Sequence, residues 1–341
     1  MKNSAAWMML TVILLFAFSG SAVFGKSHEQ AQKKIPVIYD TDIGGDIDDT
    51  WALALLLRCP ELDVKLVTTE VGDTTAKAQI VAKFLDTMGR GDIPIGIGIR
   101  EHKNGHRQTA WSGDYDLSEY PGKIYEDGAQ ALVDTLNKSS SRMKVIAVGP
   151  VPTLAAALEK DAGIARKAVF VGMHGSVRRG YGGKSEPDPE YNVRANAKAV
   201  QTVFAAPWKK KVITPLDTCG LVHLKGERYQ KIVNRDSRLT KALLANYRAW
   251  YRARQPDNLS EDEVDKRVNQ KVGSSSTTLF DTVAIYLAIS KKWVKMENLP
   301  IKVTDDGFTR IDKDAGVRVH CAMEWKDMDA FKDWMVKRLT K

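Results

Sequence analysis

The stretch of sequence that decides the fold is IPVIYDTDIGGDIDDTWALALLL, residues 35–57. It begins inside an apolar run, residues 33–40, that predicts a buried β-strand. It ends in an alanine- and leucine-rich run, about residues 50–58, that predicts an apolar helix. A strand, an acidic loop and a helix therefore follow one another directly.

The loop between this strand and this helix is strongly acidic. It contains five carboxylates, those of Asp40, Asp42, Asp46, Asp48 and Asp49. A loop that follows the first strand lies at the carboxyl edge of the sheet, where open α/β sheets bind ligands. Like charges this close repel one another unless a cation compensates them, and oxygen ligands favour calcium or magnesium over zinc. Gly44 and Gly45 allow the loop to fold back around such an ion. The alternative is an acidic N-cap of the helix, although a cap requires only one or two acids.

Strand-like and helix-like runs alternate along the rest of the chain. The further strand-like runs are 63–70, 93–97, 143–148, 168–171 and 211–214. The further helical runs are 76–88, 128–137, 153–159, 195–205, 239–253 and 278–289. This alternation predicts an α/β fold with a mainly parallel sheet flanked by helices.

Residues 308–311 and 317–323 flank a turn-like segment at 312–316, which predicts a hairpin and an antiparallel edge near the C-terminus. We expect one domain over residues 33–341, with a mainly helical insertion around 220–275.

The first 25 residues have the pattern of a secretory signal peptide. Lys2 precedes an apolar run at 5–18, and small residues follow up to Gly25, so that cleavage after Ala22 or Gly25 is expected. The apolar run is shorter than the roughly 20 residues that a membrane-spanning helix needs. An uncleaved anchor helix is the alternative. We therefore expect an exported protein, periplasmic or extracellular, with no stable membrane insertion after processing.

The distribution of charge argues against a nucleic-acid-binding protein, and the cysteine content argues against a disulfide-rich one. The formal net charge is +9, but 51 basic residues are spread along the chain among 42 acidic ones, which indicates a solvated surface rather than a nucleic-acid interface. Cys59, Cys219 and Cys321 are odd in number and widely spaced, so they form no disulfide framework. Export permits one bridge without requiring it, and we expect three core thiols.

Several segments together resemble the inosine-uridine-preferring nucleoside hydrolase family. Residues 36–55 are similar to its N-terminal signature, Asp-Thr-Asp-Pro-Gly-x-Asp-Asp followed by an Ala-Leu-rich helix, although the spacer before Asp48 is two residues longer. The downstream segments that resemble the family are 68–73, 146–154, 190–192 and 280–284. The resemblance extends from about residue 35 to 289. It implies the family's open α/β fold and a calcium-dependent hydrolysis of the N-glycosidic bond of ribonucleosides.

The resemblance also implies a role for each matching residue. Calcium would be held by the side chains of Asp42, Asp49 and Asp281 and by the main-chain carbonyl of Val148. Asp42 would in addition accept a proton from the water that attacks the anomeric carbon. The expected substrate-binding residues are Asp48, Asp73, Glu190, Asn192, Phe280 and His174.

Phe280 stands where many family members have a histidine that protonates the leaving base. A phenylalanine ring cannot donate a proton but can stack on a purine, which favours purine nucleosides; a plain core role is the alternative. Other candidates for the missing acid lie in the loop that contains Glu101, His102, His106, Trp111 and Tyr115, or at His174.

The absent histidine keeps a second hypothesis open, a non-catalytic calcium-dependent nucleoside-binding protein. A third is a phosphohydrolase of the Asp-x-Asp type, since haloacid-dehalogenase-type phosphatases also begin with a strand and two aspartates. The expected partner is a small-molecule nucleoside, with no nucleic acid. We allow for a homo-oligomer (dimer or tetramer), whose state the sequence does not give.

Overall fold

The computed structural model describes residues 34–101, 107–113 and 115–341. The expected signal peptide at residues 1–25 lies outside the described residues, as do His102 and His106. None of the helices in these ranges has both the length and the apolarity needed to cross a membrane.

The strands form one large sheet and one small one. They are β1 (Ile35–Thr41), β2 (Leu62–Thr69), β3 (Ile95–Ile97), β4 (Ile124–Tyr125), β5 (Met143–Ala147), β6 (Ala168–Met173), β7 (Lys210–Thr214), β8 (His223–Lys225), β9 (Ser275–Thr278), β10 (Val294–Val303), β11 (Thr309–Ile311) and β12 (Arg318–Trp325). The large sheet has the order β11-β10-β12-β7-β6-β5-β1-β2-β3-β4. From β12 to β4 every neighbouring pair is parallel, and β10 alone pairs antiparallel with both of its neighbours. Strands β8 and β9 form a separate antiparallel pair.

The helices lie between these strands along the chain. They are α1 (Asp48–Leu57), α2 (Thr74–Thr87), α3 (Thr109–Ser112), α4 (Gly128–Lys138), α5 (Pro152–Lys160), α6 (Tyr191–Ala195), α7 (Ala197–Ala205), α8 (Gly226–Val233), α9 (Arg238–Arg252), α10 (Glu261–Ser274), α11 (Thr282–Ile289) and α12 (Met328–Leu339). Helices α8 to α10 lie between β8 and β9, in the segment where the sequence predicts a helical insertion.

Both faces of the sheet are covered, as the alternation of strand side chains requires. Val37 and Tyr39 of β1 belong to one apolar cluster, which includes the buried residues of α1 and α11. Ile38, between them, belongs to a second cluster with residues of α4, α5 and α7. The predicted fold class, a mainly parallel sheet flanked by helices with an antiparallel edge near the C-terminus, is confirmed. Cys59, Cys219 and Cys321 are buried and free, as expected.

The predicted hairpin at 308–323 is wrong, because its two strands do not pair with each other. Instead β10 lies between them: Ile301 of β10 is opposite Ile311 of β11, and Asn298 is opposite His320 of β12. The sequence of β10, VKMENLPIKV, has no regular alternation of apolar and polar residues and contains a proline, so it lacks the period-two pattern that predicts a strand.

Candidate active site

The acidic loop is fixed by its own residues and by the strand before it. Ile43 and Ile47 are fully buried and anchor the loop to the core on both sides of Gly44. Gly44 has a φ of 96°, a left-handed conformation that favours glycine. The hydroxyl of Thr41 donates to the carboxylate of Asp49 and accepts from the main-chain N–H of Ile43 at 3.1 Å. The loop therefore joins the end of β1 directly to the start of α1.

Three aspartates form a buried carboxylate cluster at this point. Asp48 and Asp49 open α1, Asp281 immediately precedes α11, and one carboxylate oxygen from each lies within 4.8 Å of the others. Each residue is at most 3% exposed. The main-chain N–H of Asp281 donates to the Asp48 carboxylate at 3.3 Å, which holds the two helix starts together.

The electrostatics of this carboxylate cluster fit a hard cation. Burial, followed by repulsion from neighbouring aspartates, raises the pKa of Asp48, Asp49 and Asp281 well above the ordinary range. Charged oxygen ligands brought together at this cost are the donor set that calcium and magnesium prefer.

Asp42 lies beside the carboxylate cluster, and a buried lysine donates a hydrogen bond to its main chain. Asp42 lines the same pocket and is 6% exposed, but it does not belong to the set of three oxygens within 4.8 Å of one another. The ammonium of Lys77, which is 1% exposed, donates to the main-chain carbonyl of Asp42. Burial raises the pKa of the Asp42 carboxyl, and the positive charge of Lys77 opposes that rise.

The carboxylates form one wall of a pocket, and polar groups at the ends of β5 and β6 and at the start of α6 form a second. The side-chain amide of Asn192 donates to the carbonyl of Val148 at 2.9 Å and to that of Met173 at 3.0 Å. The carboxylate of Glu190 accepts from the main-chain N–H groups of Gly175 and Asn192 at 2.9 and 2.8 Å, and so caps α6. Burial raises the pKa of Glu190 to about 7 despite these hydrogen bonds.

The third wall of the pocket is aromatic. The ring of Tyr181 lies edge-on to that of Phe280, with the centroids 6.1 Å apart and the planes at 86°. Tyr191 lines the pocket beside them. Aromatic rings offer apolar faces to a ligand, and the tyrosines add a hydroxyl that can form hydrogen bonds.

These walls enclose one pocket of about 370 Å³. Its lining residues are Asp42, Gly45, Asp46, Asp48, Asp49, Arg107, Val148, Met173, Tyr181, Glu190, Tyr191, Asn192, Phe280 and Asp281. The pocket thus combines a carboxylate cluster, a hydrogen-bonding wall and an aromatic wall at the carboxyl edge of the sheet.

The pocket lies within a region that is similar to a known protein family. The sequence model described as "Inosine-uridine preferring nucleoside hydrolase" matches residues 37–333, which includes every residue that lines the pocket. The chain belongs to this family. The family predicted from the acidic loop and the downstream segments is therefore confirmed.

Relatives of known sequence and structure agree with the assignment to the nucleoside hydrolase family. The non-specific ribonucleoside hydrolase RihC of Klebsiella pneumoniae subsp. pneumoniae is 27% identical over 231 residues, which cover 63% of this chain and 73% of that protein. The plant nucleoside hydrolase PpNRh1 superimposes with a TM-score of 0.73 at 21% identity, covering 90% of this chain and 99% of the other. A purine-preferring ribonucleoside hydrolase from Gardnerella vaginalis gives a TM-score of 0.70 at 18% identity, covering 89% and 98%. The structural matches show that the nucleoside hydrolase fold is shared.

Two residues expected to bind substrate do not line the pocket of this nucleoside hydrolase. Asp73 caps α2, where its carboxylate accepts from the N–H of Ala76 at 3.2 Å and pairs with Arg100 at 2.5 Å. His174 is fully buried behind the wall, with Nε2 2.9 Å from the carbonyl oxygen of Gly149. Burial lowers the pKa of His174 to about 4, which keeps its imidazole neutral. The other expected residues, Asp48, Glu190, Asn192 and Phe280, line the pocket together with the four expected metal ligands.

The sequence did not indicate how the long acidic loop is supported. The carbonyl of Gly44 accepts from the main-chain N–H of Arg107 at 3.0 Å. That of Gly45 accepts from the Trp250 indole at 3.0 Å and from the Arg107 guanidinium at 3.3 Å. Trp250 lies on α9, so a helix of the segment between β8 and β9 holds the loop of the nucleoside hydrolase site.

Proposed function

We propose that this member of the family catalyses calcium-dependent hydrolysis of the N-glycosidic bond of ribonucleosides, with purine nucleosides preferred. The observation that carries the proposal is the meeting, in one pocket, of a buried carboxylate cluster, the Glu190–Asn192 wall and an aromatic wall. The two parts of a ribonucleoside match these groups. Its hydroxyl-rich sugar suits the carboxylates and the Glu190–Asn192 wall, and its flat base suits the aromatic wall.

The residues that would hold calcium are Asp49 and Asp281, together with Asp42 and the carbonyl of Val148. Asp48 lies close enough to these groups to bind either the ion or a ribose hydroxyl beside it. The carboxylate oxygens fit calcium, which takes six to eight oxygen ligands with flexible geometry. When bound, the ion supplies positive charge that offsets the repulsion among the carboxylates and lowers the pKa of a water molecule.

The protein's own groups supply the rest of the reaction. Asp42 accepts a proton from the attacking water, and Lys77 fixes its main chain while it does so. Glu190 and Asn192 orient the ribose by hydrogen bonds. As the bond to the base lengthens, the sugar becomes oxocarbenium-like, and the surrounding carboxylates stabilise its positive charge.

The preference for purines rests on the aromatic wall. Phe280 directly precedes Asp281, so a base stacked on its ring lies next to the carboxylate cluster. A two-ring base covers more of such an apolar surface than a one-ring base, and each additional buried Å² contributes about 25 cal/mol.

We also propose that the protein is exported. The support is the sequence of the first 25 residues, a short apolar run between Lys2 and small residues. N-terminal sequencing of protein recovered from the periplasm or the medium tests this; a start near residue 23 or 26 is expected, and an intact Met1 inside the cell contradicts it.

The activity is tested by incubating the purified protein with inosine, adenosine, guanosine and uridine in calcium and measuring reducing sugar. We expect ribose release, faster from the purine nucleosides, and loss of release in Asp42→Asn. Calorimetry on the same samples separates the second hypothesis, because tight binding of a nucleoside that is never consumed indicates a binding protein instead.

A further inference from the structure

Tyr181 lines the pocket, and its hydroxyl has one hydrogen bond within the protein. Its phenolic oxygen accepts from the main-chain N–H of Tyr191 at 2.8 Å. A phenol that accepts in this way keeps its own O–H proton for donation. The ring is 40% exposed and lines the pocket against Phe280, so the donor is within the site rather than in the core.

The segment that carries Tyr181 is held rigidly. The main-chain N–H of Tyr181 donates to the carboxylate of Asp188 at 2.8 Å, and Lys184 pairs with the same carboxylate at 2.6 Å. The N–H of Asp188 donates to the hydroxyl of Ser176 at 2.9 Å. Upstream, the carboxylate of Asp217 accepts from the main chain of residues 177 and 178 at 2.9 Å each. A side chain supported in this way is oriented before substrate arrives, which is what an effective donor requires.

We propose that Tyr181 donates a hydrogen bond to the departing nucleobase, in the role for which Phe280 has no donor. The inference rests on the proposed function and concerns the base side of the same pocket. Phe280 provides a ring on which the base stacks, and Tyr181, in contact with that ring, provides the polar contact at the edge of the base.

The step balances without a further reactant. The C1′–N bond breaks with its electron pair moving onto the base, and the oxygen of the attacking water forms the new bond to C1′. Asp42 takes the proton of that water and releases it to solvent, while the base takes one proton from solvent. Tyr181 stabilises the extra electron density on the base and keeps its own proton. Burial, followed by the charge of Glu190, raises the pKa of Tyr181 above its ordinary value, so the phenol stays neutral and able to donate.

Tyr181→Phe tests the proposal because it removes the hydroxyl and keeps the ring against Phe280. The variant is compared with the unmodified protein on inosine and on 4-nitrophenyl riboside, in calcium. The two substrates carry the same ribose, but 4-nitrophenolate leaves as a stable anion that needs little help from a donor. Hydrogen bonds to charged groups contribute about 1.5–3 kcal/mol. We therefore expect kcat/KM for inosine to fall roughly 10- to 100-fold, and that for 4-nitrophenyl riboside to fall less than about threefold.

Tyr125→Phe is the matched control, since Tyr125 lies on the edge strand β4 and does not line the pocket. This control should leave kcat/KM unchanged for both substrates. Thermal unfolding checks that both variants are folded. Equal losses on the two substrates for Tyr181→Phe overturn the proposal, because they place the effect on the ribose through Tyr191. No loss on inosine overturns it as well. Failure of the unmodified protein to cleave either substrate refutes the proposed function itself, and the inference with it.

Discussion

Asp281→Asn should stabilise the protein without metal and remove most of its stabilisation by calcium. Asp281 shares the carboxylate cluster with Asp48 and Asp49, and the cluster atoms lie within 4.8 Å of one another. At that separation two full charges repel by about 3.5 kcal/mol at an effective dielectric constant of 20. Burial and mutual repulsion raise the pKa of these carboxyls, which favours protonation and makes the relief smaller. We expect a gain of about 1–2 kcal/mol in the free energy of unfolding.

The assay is urea unfolding near neutral pH, in EDTA and in saturating calcium. The unmodified protein should gain about 2.7 kcal/mol when free calcium is 100 times the dissociation constant. Asp281→Asn should start higher in EDTA and gain less than about 1 kcal/mol from calcium. Asp257→Asn, an exposed aspartate outside the pocket, is the control and should shift neither value by more than about 0.5 kcal/mol. A variant that is less stable than the unmodified protein in EDTA refutes the account of the carboxylate cluster as a set of repelling charges.

Three further predictions concern groups around the pocket. In Gly149→Ala the new Cβ would lie 2.3 Å from a Glu70 oxygen and 3.0 Å from the Asp42 side chain, so we expect at least a tenfold loss of kcat in a folded protein, measured by ribose release beside a thermal melt. His174 has a pKa of about 4 when folded against 6.5 ordinarily, so its stabilising contribution is complete above pH 6.5 and is lost as the pH falls to 4. That loss is about 3 kcal/mol of the free energy of unfolding. In urea unfolding between pH 4 and 6.5, the free energy of unfolding of His174→Gln should fall less steeply with pH than that of the unmodified protein, and equal slopes contradict the prediction. Phe280→His should raise activity on uridine relative to inosine, and an unchanged ratio of kcat/KM values would show that this position does not select the base.

Most of the sheet could be predicted because its strands are short apolar runs separated by helices. β1 is an example, since Val37 and Tyr39 face one apolar cluster and Ile38 faces the other, so consecutive positions of the strand are apolar. β10 could not be predicted, because it is stabilised by pairing with β11 and β12 rather than by a regular apolar face. The false hairpin follows from the same omission: the turn chemistry at 312–316 is local, whereas the partner strand comes from an earlier part of the chain.

The carboxylates of the site were predictable because the chain presents most of them in one loop after a strand. Lys77 was not, although one signal exists: it shares the buried face of α2 with Thr74, Ala78 and Val81, where a lysine needs a partner. Tyr181 was not predictable either, because its position depends on contacts with Asp188 and Tyr191 that only the folded segment creates.

Asp73 and His174, the two predicted residues that do not line the pocket, have local partners that the family resemblance does not indicate. Asp73 precedes a helix in the position of an N-cap, and the acceptor that a substrate would use is already bonded to the helix and to Arg100. His174 follows β6 but points into the core, where Phe170 and Phe204 pack around it. Neither arrangement can be deduced from a residue's distance along the chain from a strand end.

The central claim is the cleavage of the bond between ribose and base in a calcium-dependent site. Its most direct test is a proton NMR time course of inosine with metal-free protein, into which calcium is titrated. We predict that ribose and hypoxanthine appear in equal amounts only after calcium is added, and that Asp42→Asn under the same conditions yields neither. Unchanged inosine at saturating calcium, or equal rates with and without the ion, would contradict the account.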